Sequence, residues 1–214
     1  MIKALVFDLD GVIIDSERIS TEVTLQILKD AGVESDSDEI SKFVGMQNEK
    51  MWTILIDRYQ IKEFVEQLMK KQKDYIIEWF LNGELEPIDG VMELLEEARR
   101  KNLKIGLATS APRDYAEYIL NKIKAAEYFK VLVTSDEITK SKPDPEVYIT
   151  AANALGIKPG ECVAIEDSTA GIQAAKSAGM KCIGYKNPNS GNQDTSKADY
   201  AVASIREIVL DSID

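Results

Sequence analysis

Residues 4–12 read Ala4-Leu5-Val6-Phe7-Asp8-Leu9-Asp10-Gly11-Val12, a short apolar run followed by two acids and a glycine. The apolar run predicts a buried β-strand, because short runs bounded by turn residues are typical of parallel sheets. In an open parallel sheet the ligand crevice lies beyond the carboxyl ends of the strands. Asp8 and Asp10 therefore stand where an active site is expected, and residues two apart on an extended chain face the same way.

Four further apolar runs predict strands, at residues 103–108, 131–134, 162–165 and 182–185. Segments with helical periodicity separate most of them, and we expect Asp89 and Ser168 to cap two of these helices. Strands that alternate with helices predict a parallel sheet covered on both faces. The predicted fold class is therefore α/β, with a Rossmann-like doubly wound parallel sheet as its core.

Residues 16–85 differ from the rest, because they contain helical patterns, many aromatic side chains and no convincing strand. We interpret this stretch as an all-helical domain inserted after the first strand. The predicted organisation is an α/β core formed by residues 1–15 and 86–214, with the helical domain at residues 16–85.

Composition limits the partners of the chain. Of its 214 residues, 44% are hydrophobic and 29% charged, which is typical of a globular domain that folds alone, and we expect a monomer. The net charge of −11 and the lack of a basic run with interleaved aromatic residues argue against nucleic acid. We expect no membrane span and no signal peptide, and hence a cytoplasmic protein.

The absence of histidine narrows the chemistry. It excludes histidine-based triads and zinc sites of the usual kind, so that carboxylates, hydroxyls and lysines must do the work. Cys162 and Cys182 lie far apart within apolar runs, and we interpret them as buried, reduced thiols rather than a redox pair.

Asp8 and Asp10 suggest a metal site. Two carboxylates this close repel each other unless a cation lies between them or one is protonated. Mg²⁺, which prefers oxygen ligands, fits such a site. Taken alone, however, this short motif also fits a solvated loop or a helix cap.

The other predicted strand ends supply hydroxyls, a lysine and more acids. Thr109 and Ser110 follow the second strand, where a hydroxyl and the amides of a helix start can cradle a phosphate. Lys142 follows the third strand and precedes two stiffening prolines, Pro143 and Pro145, and Glu166 and Asp167 follow the fourth strand. Each piece alone could be a helix cap or a solvated lysine, but their occurrence at successive strand ends favours one site.

Together these pieces resemble the motifs of the haloacid dehalogenase-like hydrolase superfamily, in the expected order and over essentially the whole chain. Within it the sequence is similar to the beta-phosphoglucomutase and phosphoglycolate-phosphatase group. The matching pieces are Asp8-x-Asp10-Gly11-Val12, Thr109-Ser110, Ser141-Lys142-Pro143 and Glu166-Asp167-Ser168, followed by Ala170-Gly171-Ile172.

The resemblance implies a role for each of these residues. Asp8 attacks the substrate phosphorus and becomes transiently phosphorylated, while Asp10 is the general acid and base. Mg²⁺ is held by Asp8, the backbone carbonyl of Asp10 and Asp167, and Glu166 supports or shares the metal site. The phosphoryl group is bound by Thr109, Ser110 and Lys142. The helical insertion is implied to be a cap that closes over the substrate.

The resemblance leaves the reaction open between close relatives. In the mutase, a cap histidine and a cap arginine grip a sugar bisphosphate, but this chain has no histidine and has Asn48, in Gly45-Met46-Gln47-Asn48, where that arginine is expected. We therefore expect a Mg²⁺-dependent phosphatase acting on a small phosphorylated metabolite, such as a sugar phosphate. The alternatives are a phosphosugar mutase and, in another class, a non-catalytic binding protein of the same fold; dehalogenation fits the acids poorly. Cap residues considered for substrate contact are Arg18, Lys50, Trp52 and Lys73.

Overall fold

A computed structural model describes residues 2–44 and 46–213 of the chain. In this part of the chain the strands form one six-stranded sheet. The strands are β1 Ala4–Phe7, β2 Lys104–Ala108, β3 Val131–Val133, β4 Cys162–Glu166, β5 Lys181–Tyr185 and β6 Tyr200–Val202. Every neighbouring pair is parallel, in the order β3-β2-β1-β4-β5-β6.

The first strand is central because it pairs on one side with β2 and on the other with β4. The register places Phe7 beside Leu107 and Ile165, so these three strands end at nearly the same level. The chain continues from β1 to β2 and β3 on one side and then crosses to β4 on the other side of β1, so the topological switch point of the sheet lies at the carboxyl end of β1.

Among the described residues, α-helices form most of the regular secondary structure outside the sheet. Those of the insertion are α1 Ser16–Asp30, α2 Ser37–Ile40, α3 Asn48–Tyr59 and α4 Val65–Asn82. Those of the sheet-containing part are α5 Val91–Arg100, α6 Arg113–Lys122, α7 Glu146–Leu155 and α8 Thr169–Ser177.

Both faces of the sheet are buried. Alternate residues of the central strand, Ala4 and Val6, pack in one cluster with apolar residues of α7 and α8. Leu5 and Phe7 point to the opposite face and are equally inaccessible, and the ring of Phe7 meets Phe129 edge to face, with centroids 6.1 Å apart. A strand buried on both faces explains why β1 is continuously apolar rather than alternating. The predicted α/β class with a helical insertion is thereby confirmed.

The chain divides into two compact units. The sheet unit comprises Met1–Asp15, Leu85–Pro188 and Asn192–Asp214, and the helical unit comprises Ser16–Glu84 with Asn189–Gly191. Within the sheet unit, the backbone N–H of Ile88 donates to the carbonyl of Ile13 at 2.8 Å. The chain therefore leaves the sheet unit and returns to it at almost the same point.

The helical unit has its own core. Trp52 is completely buried in it, and its indole N–H donates to Oε1 of Gln72 at 3.0 Å. Trp52 is thus a core residue of the helical unit rather than an open contact surface, whereas Arg18, Lys50 and Lys73 are exposed. Gly45, named in the comparison with the mutase, lies outside the described residues.

Several local predictions can be compared with these elements. The five predicted strands agree with β1 to β5 to within one residue at each end, but β6 was missed. Ser168 caps α8 as predicted, its hydroxyl accepting from the N–H of Gly171 at 3.0 Å. The prediction for Asp89 was wrong: Gly90, with φ of 90°, is the N-cap of α5, and Asp89 pairs with Arg206 at 2.6 Å.

Two predictions from composition can also be compared. Cys162 and Cys182 are buried and form no disulfide, as expected. Among the described residues, no helix combines the length and apolar character needed to span a membrane.

Candidate active site

The polar residues predicted to form a site follow three adjacent strands of the sheet. Asp8 comes directly after β1, Thr109 directly after β2, and Glu166 and Asp167 stand at the end of β4. The ladder continues past the end of β1, because the N–H of Asp8 donates to the carbonyl of Ile165 at 3.0 Å. Asp8 is therefore held by sheet hydrogen bonds rather than by a loose loop.

Lys142 connects these strand ends. Its ammonium group donates to Oδ1 of Asp8 at 2.9 Å, to Oε1 of Glu166 at 2.6 Å and to the carbonyl of Ala108 at 3.0 Å. Its side chain is only 7% exposed. One buried cation is thus bonded to groups at the carboxyl ends of β1, β2 and β4, and these bonds bring together the lysine and two of the acids predicted from the sequence.

Glu166 anchors this arrangement. Its side chain is completely buried, and Oε1 accepts from the hydroxyl of Tyr148 at 2.6 Å as well as from Lys142. Its other oxygen, Oε2, accepts from the hydroxyl of Ser168 at 3.1 Å. A Cβ added to Gly171 would lie 1.8 Å from Oε1, so that only glycine permits α8 to approach this carboxylate.

Asp8, Glu166 and Asp167 form a group of buried carboxylates. One oxygen from each lies within 4.8 Å of the others, a spacing that could hold a metal ion. Gly11 contributes to the closeness: with φ of 78° it turns the chain after β1, and a Cβ there would lie 2.0 Å from Oδ2 of Asp167. Carboxylate oxygens without nitrogen or sulfur donors fit a hard cation such as Mg²⁺.

Asp10 lies next to this group, on a tight loop. The N–H of Gly11 donates to the carbonyl of Ile14 at 2.8 Å, and the side-chain amide of Asn187 donates to the carbonyl of Gly11 at 2.9 Å. The carboxylate of Asp10 accepts from the hydroxyl of Tyr115 at 3.2 Å. The side chain of Asp10 is partly exposed, unlike that of Asp8.

Thr109 and Ser110 differ in exposure. Thr109 is buried, its N–H donates to the carbonyl of Val133 at 2.9 Å, and its hydroxyl accepts from the N–H of Ala111 at 3.0 Å. Ser110 is exposed. Both precede α6, so that the amide-rich start of that helix lies at the carboxyl edge of the sheet.

The charges in this cluster alter its pKa values. Burial, together with the neighbouring charges of Glu166 and Asp167, raises the pKa of Asp8 well above its usual value, although Lys142 opposes the shift. Burial disfavours the charged form of Lys142, but the carboxylates of Asp8 and Glu166 outweigh it and raise the lysine pKa. The lysine is therefore firmly protonated, and Asp8 lies in an environment that favours an added positive charge.

The sequence interpretation missed three polar side chains of this region, Tyr115, Tyr148 and Asn187. Tyr148 donates to Glu166, and its ring centroid lies 5.1 Å from the ammonium nitrogen of Lys142. Asn187 follows β5 by two residues, and the strand-end rule could have found it. The tyrosines are in the first turns of α6 and α7, where they read as ordinary amphipathic helix residues.

The fold and these strand ends define a class of protein. The family model of haloacid dehalogenase-like hydrolases matches residues 5–185. The chain therefore belongs to this family. This confirms the resemblance inferred from the sequence and the prediction that the protein is a hydrolase of this family.

The similarity to individual relatives covers nearly the whole chain. Validoxylamine A 7'-phosphate phosphatase of Streptomyces hygroscopicus subsp. limoneus is 32% identical, over 97% of this chain and 96% of its own. Beta-phosphoglucomutase of Bacillus subtilis is 34% identical, over 98% and 92%. A crystal structure from Thermotoga maritima, assigned provisionally as a beta-phosphoglucomutase, has a TM-score of 0.83 and 30% identity, with 96% of each chain covered.

Proposed function

We propose that this protein is a Mg²⁺-dependent phosphatase that hydrolyses a small phosphate monoester through a phosphorylated Asp8. The observation that carries the proposal is the bonding of Lys142 to Asp8 and Glu166, with Asp167 in the same carboxylate group. A carboxylate held beside a buried cation, next to oxygen ligands for a metal, has the parts that phosphoryl transfer requires.

In the proposed first step, an oxygen of Asp8 attacks the substrate phosphorus. The bond between phosphorus and the ester oxygen breaks, and Asp10 gives a proton to the departing alcohol. In the second step water attacks the phosphoaspartate, Asp10 takes the proton of that water, and phosphate leaves with Asp8 restored. Lys142 would compensate the negative charge on the phosphoryl oxygens, aided by Thr109 and Ser110.

The metal would be held mainly by Asp8 and Asp167. Both oxygens of Glu166 already accept hydrogen bonds from Lys142, Tyr148 or Ser168, which leaves this carboxylate better suited to supporting the site than to direct ligation. Following the resemblance, Asp10 would add its backbone carbonyl. When bound, Mg²⁺ supplies neutralisation of the charge on the transferring phosphoryl group.

The helical unit is proposed to be the cap that selects the substrate. Two similar proteins, the phosphorylated carbohydrates phosphatase of Thermotoga maritima and hexitol phosphatase B of Escherichia coli, are named for the phosphates of carbohydrates and of a hexitol. We therefore propose a sugar phosphate or a similar polyol phosphate as the substrate class.

A panel of sugar and polyol phosphates, phosphoglycolate and nucleotides, assayed for phosphate release, tests this function. Wild type with Mg²⁺ should turn over at least one ester, and EDTA should abolish the activity reversibly. Asp8→Asn should lower kcat by at least about 10³-fold, as removal of a nucleophile does. Asp211→Asn is the matched control, because this carboxylate is exposed and pairs with Lys101 at the protein surface. Full activity of Asp8→Asn would contradict the proposal.

A mutase is the second candidate, because the relative from Bacillus subtilis carries that name. The chain has no histidine, and Asn48 stands where the resemblance expects an arginine, so fewer charged groups are available to hold a second phosphate. Incubation with beta-glucose 1-phosphate separates the two reactions. Release of inorganic phosphate supports the phosphatase, whereas formation of glucose 6-phosphate, read with its dehydrogenase, supports the mutase.

A further inference from the structure

Tyr115 makes a contact that the family motifs do not predict. It lies in the first turn of α6, in the segment that follows the Thr109-Ser110 pair, and is partly buried. Its hydroxyl donates to Oδ1 of Asp10 at 3.2 Å, across a sequence separation of 105 residues. The hydroxyl of Tyr115, which follows the Thr109-Ser110 motif, thus hydrogen-bonds to Asp10, the proposed general acid and base.

The backbone that carries Asp10 is already constrained, but its carboxyl group needs a separate constraint. The loop is pinned by the bond from Gly11 to Ile14 and by the amide of Asn187 on the carbonyl of Gly11. The terminal torsion of an aspartate is broad, so the backbone alone does not fix the plane of its carboxyl group. A hydrogen bond to Oδ1 from a ring held in a helix does fix it.

We propose that Tyr115 is a positioning residue that orients the carboxyl group of Asp10 for proton transfer to the leaving group. This inference rests on the proposed function and deepens it. The tyrosine is not itself the acid, because burial, together with the charge of Asp10, raises its pKa further above neutrality. It remains a protonated donor, and its effect on the reaction passes through Asp10.

The leaving group of the substrate provides the test. An alkyl phosphate needs a proton on its departing oxygen, whereas p-nitrophenyl phosphate releases a stable phenolate without one. Tyr115→Phe keeps the ring and removes the hydroxyl. Its kcat/KM should fall about tenfold for the best alkyl phosphate and less than about twofold for p-nitrophenyl phosphate, since general acid catalysis matters only for the first.

Tyr128→Phe is the matched control. Tyr128 belongs to the same unit, and its hydroxyl also donates to a carboxylate, Oε2 of Glu96, at 3.1 Å. Among the described residues, neither Tyr128 nor Glu96 hydrogen-bonds to the acids of the candidate site, so both substrates should be turned over as by wild type. Thermal unfolding of both variants checks that the packing is retained.

A double variant adds an independent measurement. If Tyr115 acts through Asp10, Tyr115→Phe combined with Asp10→Asn should be no slower than Asp10→Asn alone. Multiplicative losses, an equal fall for both substrates, or a rise in KM with unchanged kcat would each overturn the inference. Failure of wild type to hydrolyse either substrate would instead sink the proposed function, and this inference with it.

Discussion

Lys142→Met should destabilise the fold strongly at neutral pH. The substitution keeps an unbranched side chain of similar length but removes the cation that bonds Asp8 at 2.9 Å and Glu166 at 2.6 Å. Those carboxylates are 11% and 0% exposed, so water cannot replace the lysine. Removing one partner of a buried pair costs about 3 to 5 kcal/mol.

In a domain of this size that cost corresponds to a fall in Tm of roughly 6 to 20 °C, at about 2 to 4 °C per kcal/mol. The measurement is thermal unfolding followed by circular dichroism, in EDTA so that no metal compensates. Lys101→Met is the control, because Lys101 pairs with Asp211, which is 79% exposed, and a surface pair contributes at most about 1 kcal/mol.

The loss should shrink as the pH falls. The pKa of Asp8 is raised in the folded protein, so ionisation of this group costs stability in full above the folded pKa. That cost shrinks as the pH falls below the folded pKa and disappears only below the unfolded pKa, about 3.9. Without the lysine the pKa rises further, and protonation at about pH 5 relieves more of the penalty in the variant than in wild type. The reasoning is refuted if Lys142→Met is no less stable than Lys101→Met, or if the gap widens in acid.

Two further predictions concern packing. Gly171→Ala should lower the free energy of unfolding by at least about 1 to 3 kcal/mol, because the new Cβ would overlap the carboxylate of Glu166. Gly160→Ala is the control, because its Cβ would lie 3.9 Å from the carbonyl oxygen of Gly179 and should leave the free energy of unfolding almost unchanged. Equal midpoints of urea unfolding for the two variants would contradict this account. Both cysteines should resist a thiol reagent in the native protein and react after denaturation, since burial raises the pKa of Cys162 to about 11. Rapid native labelling would show that the sheet opens.

The sheet and its strand-end acids could be predicted because their signal is local. Strand β1 is apolar throughout since both faces are covered, and the acids follow at once because the strand ends at the crevice. Strand β6 could not be predicted in this way, because it is a short edge strand with Tyr200 and Ala201 exposed. It lacks the apolar run on which the prediction relies.

The hydrogen-bond partners of the acids lie beyond what such patterns can predict. Tyr148 reaches Glu166 across 18 residues and Tyr115 reaches Asp10 across 105, in contacts that exist only once helices pack on the sheet. The positions of these tyrosines on α6 and α7 predict that each ring packs on the inner face of its helix. They do not predict which group each hydroxyl will contact. The error at Asp89 has a similar origin, since Arg206, 117 residues away, engages that carboxylate.

The bond between Ile88 and Ile13 has a consequence for how such enzymes diversify. It joins the two points of the sheet unit between which the helical segment is inserted. The sheet unit is therefore closed by its own hydrogen bond where that segment begins and ends. The entropy of closing a loop grows only slowly with its length, and replacing this segment by a longer or shorter one should cost the sheet little. The helical segment could in this way be exchanged for another without rebuilding the strands that carry the acids.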